Sequence, residues 1–149
     1  MAFWDTSALL KVYVRERDSD QFHHLIQSLP EKTAISQFTL AEMHRALWAK
    51  AFARAVPANF VQKAYRELRA DVETALLEVV PFGPAVQEEF DRIIPICYRA
   101  SPPVPIRTLD GLILASALIA RTVRLVSTDS RMRAAGMLLG LHVLPQSLR

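Results

Sequence analysis

Four acidic residues stand in apolar surroundings, unlike most other carboxylates of the chain. They are Asp5 in Ala-Phe-Trp-Asp-Thr-Ser, Glu42 in Thr-Leu-Ala-Glu-Met, Asp110 in Thr-Leu-Asp-Gly-Leu-Ile-Leu, and Asp129 in Leu-Val-Ser-Thr-Asp-Ser. Carboxylates gathered without cations repel one another, and some would take up protons. A divalent metal removes that penalty. Carboxylate, water and phosphate oxygens suit Mg²⁺ or Mn²⁺, which prefer octahedral oxygen coordination and keep several waters. Such an ion can lower the pKa of a bound water, orient it for in-line attack on phosphorus, and offset charge on the leaving oxygen. The chemistry to which the four acids together point is phosphodiester hydrolysis.

Each acid taken singly has a structural alternative. Thr39-x-x-Glu42 has the form of a capping box, and Arg45 lies one turn beyond Glu42. Asp110 follows Thr108 and would be favoured by the positive end of a helix, although its i+3 and i+4 neighbours, Ile113 and Leu114, offer no ion pair. Asp129 can cap the helix after it, and Asp5 can be a turn acid. Hydroxyls accompany the acids at Thr6, Ser7, Ser36, Ser127 and Thr128. Thr6 and Ser127 are the ones expected to hold a metal-bound water or orient a carboxylate, against the alternative of plain caps. A serine nucleophile finds no Gly-x-Ser-x-Gly, the histidines form no His-Glu-x-x-His pattern, and the four glycines make no phosphate loop or dinucleotide fingerprint.

Positioning these acids requires particular elements. Ala2 to Trp4 reads as a strand ending at Asp5, followed by a helix from Ser7 to Val14 and another from Ser19 to Leu29, closed by Pro30. Thr33 to Ser36 is strand-like. Leu40 to Ala55 is a long helix striped by Leu40, Met43, Leu47 and Ala51, and Pro57 opens the next, through Asp71. Leu76 to Val80 reads as a strand, and Pro84 begins a helix that Pro95 kinks or divides. Ser101 to Arg107, with Pro102, Pro103 and Pro105, is a stiff loop. Thr108 then caps a helix, Leu109 to Ala120, apolar almost all round and therefore buried. Val123 to Ser127 is a strand, Ser130 to Ala135 a helix ended by Gly136, and Leu141 to Leu144 a last strand. Alternating strands and helices imply an α/β fold, with a central parallel sheet covered by helices on both faces. Ligands bind such sheets beyond the C-terminal strand ends, where strand order reverses. Asp5 and Asp129 end strands, and Glu42 and Asp110 lie in first helical turns, so all four can reach one sheet edge.

The 149 residues suit one domain, 1–149, and 51% hydrophobic against 22% charged residues excludes a disordered chain. The apolar stretch from Leu109 to Ala120 contains Asp110 and is too short to span a bilayer. Met1-Ala2-Phe3-Trp4 meets Asp5 with no basic leader, so a cytoplasmic protein is expected. The single cysteine, Cys97, excludes a disulfide framework and a Cys-rich zinc site, and reads as a buried apolar residue. Charge is unevenly placed. Residues 1–91 hold 10 Lys+Arg and 13 Asp+Glu, whereas residues 92–149 hold 8 Arg and 2 acids, giving −3 and +6. An arginine-rich end suits a phosphate-rich partner. Arg99, Arg107, Arg131 and Arg133 are the candidates for phosphate contact, and Trp4 and Trp48 read as core residues rather than base-stacking platforms.

In order along the chain, Asp5-Thr-Ser-Ala-Leu-Leu-Lys, Glu42 early in a long helix, Asp110-Gly-Leu-Ile-Leu-Ala-Ser-Ala, Leu125-Val-Ser-Thr-Asp129 and Leu141-His-Val-Leu-Pro resemble PIN-domain proteins, particularly VapC-type toxins of toxin–antitoxin systems. No single motif is specific, but the ordered set is. The resemblance implies a three-layer α/β/α domain and a Mg²⁺- or Mn²⁺-dependent ribonuclease with metal ligation by Asp5, Glu42, Asp110 and Asp129. It also implies a hydroxyl at Thr6 or Ser127 near the site, a homodimer, and a VapB-like antitoxin whose tail covers or disturbs the acidic pocket. Two positions depart from the pattern. Gly111 follows Asp110 where another residue is commoner and weakens the helix, and Met132 stands where an aromatic is common.

The expected function is therefore a metal-dependent endoribonuclease. Two other readings compete: a catalytically inactive PIN-like module that binds a basic protein partner or RNA, and a phosphatase using Asp5 as nucleophile. Ser7 stands where the phosphatase would need a second acid.

Overall fold

The structure, a computed structural model, describes residues 1–148. Five strands, β1 (Ala2–Trp4), β2 (Thr33–Ser36), β3 (Leu77–Val80), β4 (Arg124–Val126) and β5 (His142–Leu144), form one parallel sheet in the order β3-β2-β1-β4-β5. Seven helices accompany it: α1 (Thr6–Tyr13), α2 (Ser19–Ser28), α3 (Gln37–Phe52), α4 (Ala58–Glu73), α5 (Pro84–Arg99), α6 (Thr108–Ile119) and α7 (Ser130–Leu138). Strand residues alternate between the two faces. Phe3, Ala34, Leu125 and Val143 pack with α5, α6 and α7, while their neighbours Trp4, Ile35 and Val126 pack with α1 to α4. The result is a three-layer α/β/α arrangement, in which short apolar strands buried on both faces need no polar alternation.

Several boundaries differ from expectation for identifiable reasons. Helix α3 starts at Gln37 rather than Leu40, because the Ser36 hydroxyl accepts the Phe38 N–H at 3.1 Å and caps it. Glu42 is therefore its sixth residue, in the second turn. The Thr39 capping box does not form: Thr39 is fully buried with its hydroxyl unpartnered. Helix α5 runs unbroken through Pro95, which lies on the exposed side, where water can take the carbonyl of Asp91 freed by the missing N–H. In α6, Thr108 is the first helical residue rather than the cap, and Arg107 occupies the cap position without a side-chain bond.

Helix α7 continues past Gly136 to Leu138. A Cβ on Gly136 would lie 2.7 Å from Leu125 Cδ2 and 3.1 Å from Val143 Cγ2, so glycine here lets the helix sit close on the sheet. Gly111 plays the same part between helices. A Cβ there would meet Phe90 Cε2 at 2.7 Å, and the lost helix propensity is the cost of bringing α5 against α6. Met132 is fully buried in the core beneath α7, filling the place of the aromatic. Buried Cys97 likewise packs as an apolar residue. Among the described residues, no helix is long and apolar enough to cross a membrane.

Candidate active site

The chain leaves β1 toward β2 and returns, after β3, to β4 on the other side of β1, so strand order reverses between β1 and β4. Side chains leaving the C-terminal ends of these two strands must meet. The Asp5 N–H donates to the Val126 carbonyl at 3.0 Å, extending the ladder by one residue and setting Asp5 beside Ser127. Asp5 occupies the cap position of α1, yet its carboxylate caps nothing. Its Oδ2 instead accepts the hydroxyls of Ser127 at 2.7 Å and Ser7 at 2.8 Å.

Asp5 is only 4% exposed, and burial raises its pKa above the ordinary carboxylate value. The two serine hydroxyls and the Thr6 backbone N–H oppose the rise, and the charge of Asp129 adds to it. Glu42 enters from α3, where Thr6 Oγ1 donates to its Oε1 at 2.6 Å. Burial raises its pKa as well, Thr6 opposes, Asp5 and Asp110 push upward, and Arg45 acts in the opposite sense through charge alone. Asp110, third residue of α6, is raised by burial and then by Asp5 and Asp129, against Arg107 and Arg131. Asp129 caps α7, its Oδ1 accepting the Met132 N–H at 2.8 Å, while its own N–H donates to Ser127 Oγ at 3.1 Å.

The four acids thus form one electrostatically coupled cluster, drawn from β1, α3, α6 and the start of α7. Among the described residues, no group of three or more His, Cys, Asp or Glu side chains is gathered tightly enough to hold a metal ion by itself. Hydroxyls hold two of the four carboxylates, Asp5 through Ser127 and Ser7 and Glu42 through Thr6, while Asp129 holds the Met132 N–H.

This arrangement can be compared with known proteins. A PIN-domain family model matches residues 2–137. The chain belongs to the PIN-domain family. Among solved structures, this PIN domain resembles FitAcB from Neisseria gonorrhoeae with a TM-score of 0.68 at 19% identity, over 97% of each chain. It resembles Mycobacterium tuberculosis VapC20, described as a Sarcin-Ricin loop cleaving toxin, with a TM-score of 0.66 at 16% identity, over 91% of this chain and 95% of that one. A toxin-antitoxin complex from Klebsiella pneumoniae gives 0.60 at 18% identity, over 97% of each chain. At such identities the likeness is one of fold. No curated protein matches the sequence.

Within the PIN domain, Ser7 is a junction, a role beyond that of the general hydroxyls near the acids. It donates to Asp5, accepts the Thr128 N–H at 3.0 Å and lies 3.3 Å from Ser127 Oγ. The serine two residues beyond an acid was its local signal. Arg133 is not free for phosphate. Its Nη1 donates to the carbonyls of Ser127 at 2.8 Å and Leu144 at 3.2 Å, and its Nη2 donates to that of Pro145 at 2.6 Å. It braces the β4 and β5 ends that carry Ser127. Trp4 is core as expected, whereas Trp48 is 44% exposed and donates its indole N–H to His44 Nε2 at 3.2 Å.

Two cavities flank the first turn of α6 in the PIN domain. One, of about 220 Å³, is lined by Phe38, Ala41, Arg45 and Leu109 together with Glu42 of the acid cluster. The other, of about 410 Å³, is lined at that turn by Arg107 and Thr108.

Proposed function

We propose that this PIN domain, residues 1–149, is a Mg²⁺- or Mn²⁺-dependent endoribonuclease of the VapC toxin type, hydrolysing RNA phosphodiester bonds. The observation that carries this reading is the coupling of Asp5, Glu42, Asp110 and Asp129 at the reversal of strand order, with three of the four raised in pKa by burial and mutual repulsion. The donor set is all oxygen, and its unbalanced negative charge fits a hard divalent cation that completes its shell with water. VapC20 is described as cleaving the Sarcin-Ricin loop, and the Klebsiella structure is a toxin-antitoxin complex, which supports RNA as substrate and a VapB-like antitoxin as partner. A homodimer and a cytoplasmic setting belong to the same reading.

Asp5, Glu42, Asp110 and Asp129 would hold the ion, which requires their side chains to close from the looser spacing described above. When bound, it supplies a Lewis acid that favours ionisation of a water and offsets charge on the departing oxygen. Ser127 and Ser7 fix the orientation of Asp5 and favour its ionised form, and Thr6 does the same for Glu42. Arg107 and Arg131, whose charges reach Asp110, set a positive rim suited to the phosphates on either side of the cut. Water adds to phosphorus, the bridging P–O bond breaks, and the leaving oxygen takes a proton.

The test is cleavage of single-stranded RNA by the purified chain in Mg²⁺, in Mn²⁺ and in excess chelator, beside Asp110→Asn. Cleavage that needs the metal and falls by about 100-fold or more in the variant is expected. Equal cutting in chelator, or by a folded Asp110→Asn protein, overturns the reading.

Ser127→Ala removes the donor to Asp5 and the acceptor of the Asp129 N–H together. It is expected to weaken Mg²⁺ affinity about 10- to 100-fold and to move the acidic limb of the pH–kcat/KM profile upward, because a hydroxyl that favours ionised Asp5 has gone. An unchanged profile and metal requirement would show that this hydroxyl serves packing alone.

A further inference from the structure

The larger cavity beside α6 is lined by Phe90, Ile94, Tyr98, Ile106, Arg107 and Thr108, with no acid among them. Its volume of about 410 Å³ lies in the range occupied by small organic groups. Tyr98 is 52% exposed, yet its hydroxyl donates to the Ile106 carbonyl at 3.1 Å. An exposed ring ordinarily samples several rotamers. Here its far end is tethered to the proline-rich loop, which is itself held by the Val104 N–H on the Cys97 carbonyl at 2.8 Å. A flat aromatic surface is therefore held ready in the free protein, and a ligand stacking on it loses less affinity to ordering.

Arg107 lines the same cavity. It is exposed and, among the described residues, makes no ion pair, while its charge acts on Asp110 three residues further along. Ring and guanidinium thus line one cavity, and the guanidinium stands at the cap position of the helix whose third residue is Asp110. A pinned aromatic face suits a base, and a guanidinium with two parallel donors suits the phosphate attached to it. Base-paired nucleotides keep their faces stacked on each other and cannot use such a platform.

We infer that this groove receives one unpaired nucleotide adjoining the bond that is cut, its base stacked on Tyr98 and its phosphate at Arg107. The inference rests on the nuclease reading above and adds to it a base-stacking subsite built from Tyr98 and Arg107.

Binding of a short fluorescein-labelled single-stranded RNA to the Asp5→Asn chain in Mg²⁺ tests it, compared with the same chain carrying Tyr98→Ala, Tyr98→Phe or Arg107→Gln. Tyr98→Ala is expected to weaken binding about tenfold or more, and to abolish the quenching of a 2-aminopurine base placed at the subsite. Tyr98→Phe keeps the ring but loses the tether, and is expected to fall between. Arg107→Gln is expected to weaken binding and to lower the salt slope by about 0.7, the contribution of one single-strand phosphate. Duplex RNA should bind weakly and respond little to Tyr98→Ala. RNA that binds with unchanged affinity and quenching in all three variants overturns the subsite and leaves the nuclease reading standing. If Tyr98→Ala instead changes the mass of the particle in solution while RNA affinity stays the same, the groove belongs to a protein partner and the subsite is overturned. A parent chain that binds no RNA removes both.

Discussion

Asp5→Asn is expected to abolish RNA cleavage, by about 100-fold or more, while leaving the protein folded and, without metal at neutral pH, more stable than the parent. The two effects have one cause. Asp5 is 4% exposed at the end of the central strand, and its hydrogen-bond partners are neutral: the hydroxyls of Ser127 and Ser7 and the Thr6 backbone N–H. Burial and the nearby charge of Asp129 both disfavour the carboxylate. An amide of the same shape can keep its oxygen on the two serine hydroxyls and carries no charge to be desolvated or repelled. The gain follows from the raised pKa: at neutral pH the folded state holds a carboxylate it disfavours, and the amide removes that charge. Calorimetry with chelator present, together with an RNA cleavage assay, measures both quantities. A folded variant cutting RNA at the parental rate would remove the catalytic role, and a large fall in melting temperature would show that the carboxylate is structurally required.

Without divalent metal, stability should decline as pH rises from the ordinary carboxylate range toward neutrality. Asp5, Glu42 and Asp110 have folded-state pKa values raised, in each case first by burial, above those of the unfolded chain. Between the two values the folded protein holds protons that the unfolded chain has released, so the derivative of unfolding free energy with pH is negative. Their contribution is fully present below the unfolded pKa and lost as pH climbs through the folded one. Glu16 acts in the opposite sense. Burial raises its pKa, but the hydrogen bonds and charges of Lys11 and Lys50 outweigh that and lower it, so its contribution is lost as pH falls through the lowered value. Stability of the metal-free protein is thus expected to peak in mildly acid solution.

Millimolar Mg²⁺ should reverse the decline, because a cation binds the ionised cluster and competes with protons for it. At a concentration 100-fold above its dissociation constant it contributes about 2.7 kcal/mol, against little at the acid end, where the cluster is protonated. Melting temperatures across pH 5 to 8, with Mg²⁺ and with chelator, check the prediction. A metal-free melting temperature that rises steadily over this interval, or a Mg²⁺ effect equal at both ends, would show that the acids do not share charge in the folded state.

The exposed Tyr98 and the half-buried Arg133 show where local reading stops. Each partner of Arg133 is a backbone carbonyl on another element, and nothing in the residues around position 133 distinguishes a brace from a solvated arginine. Nothing in the residues around Tyr98 signals its tether, because the loop after it folds back to offer the Ile106 carbonyl. Glu42 had a good local partner in the Thr39 capping box. A better cap at Ser36 started the helix three residues earlier and left Glu42 to the Thr6 hydroxyl, 36 residues away in sequence.

Short-range features were legible because they repeat within a few residues. Apolar runs broken by acids marked the ends of β1 and β4, helical spacing marked the long helices, and carboxylates in apolar surroundings singled out Asp5, Glu42, Asp110 and Asp129. The order of the strands was not legible, and it decides the rest. Placing β4 beside β1 sets Ser127 on Asp5 across 122 residues of chain and makes Ser7 the hydroxyl between them. Periodicity and composition report the preference of each segment for burial and backbone shape. Which segment lies beside which is settled by packing of the whole chain, so residue type was readable from the sequence and the hydrogen-bond partners only from the tertiary structure.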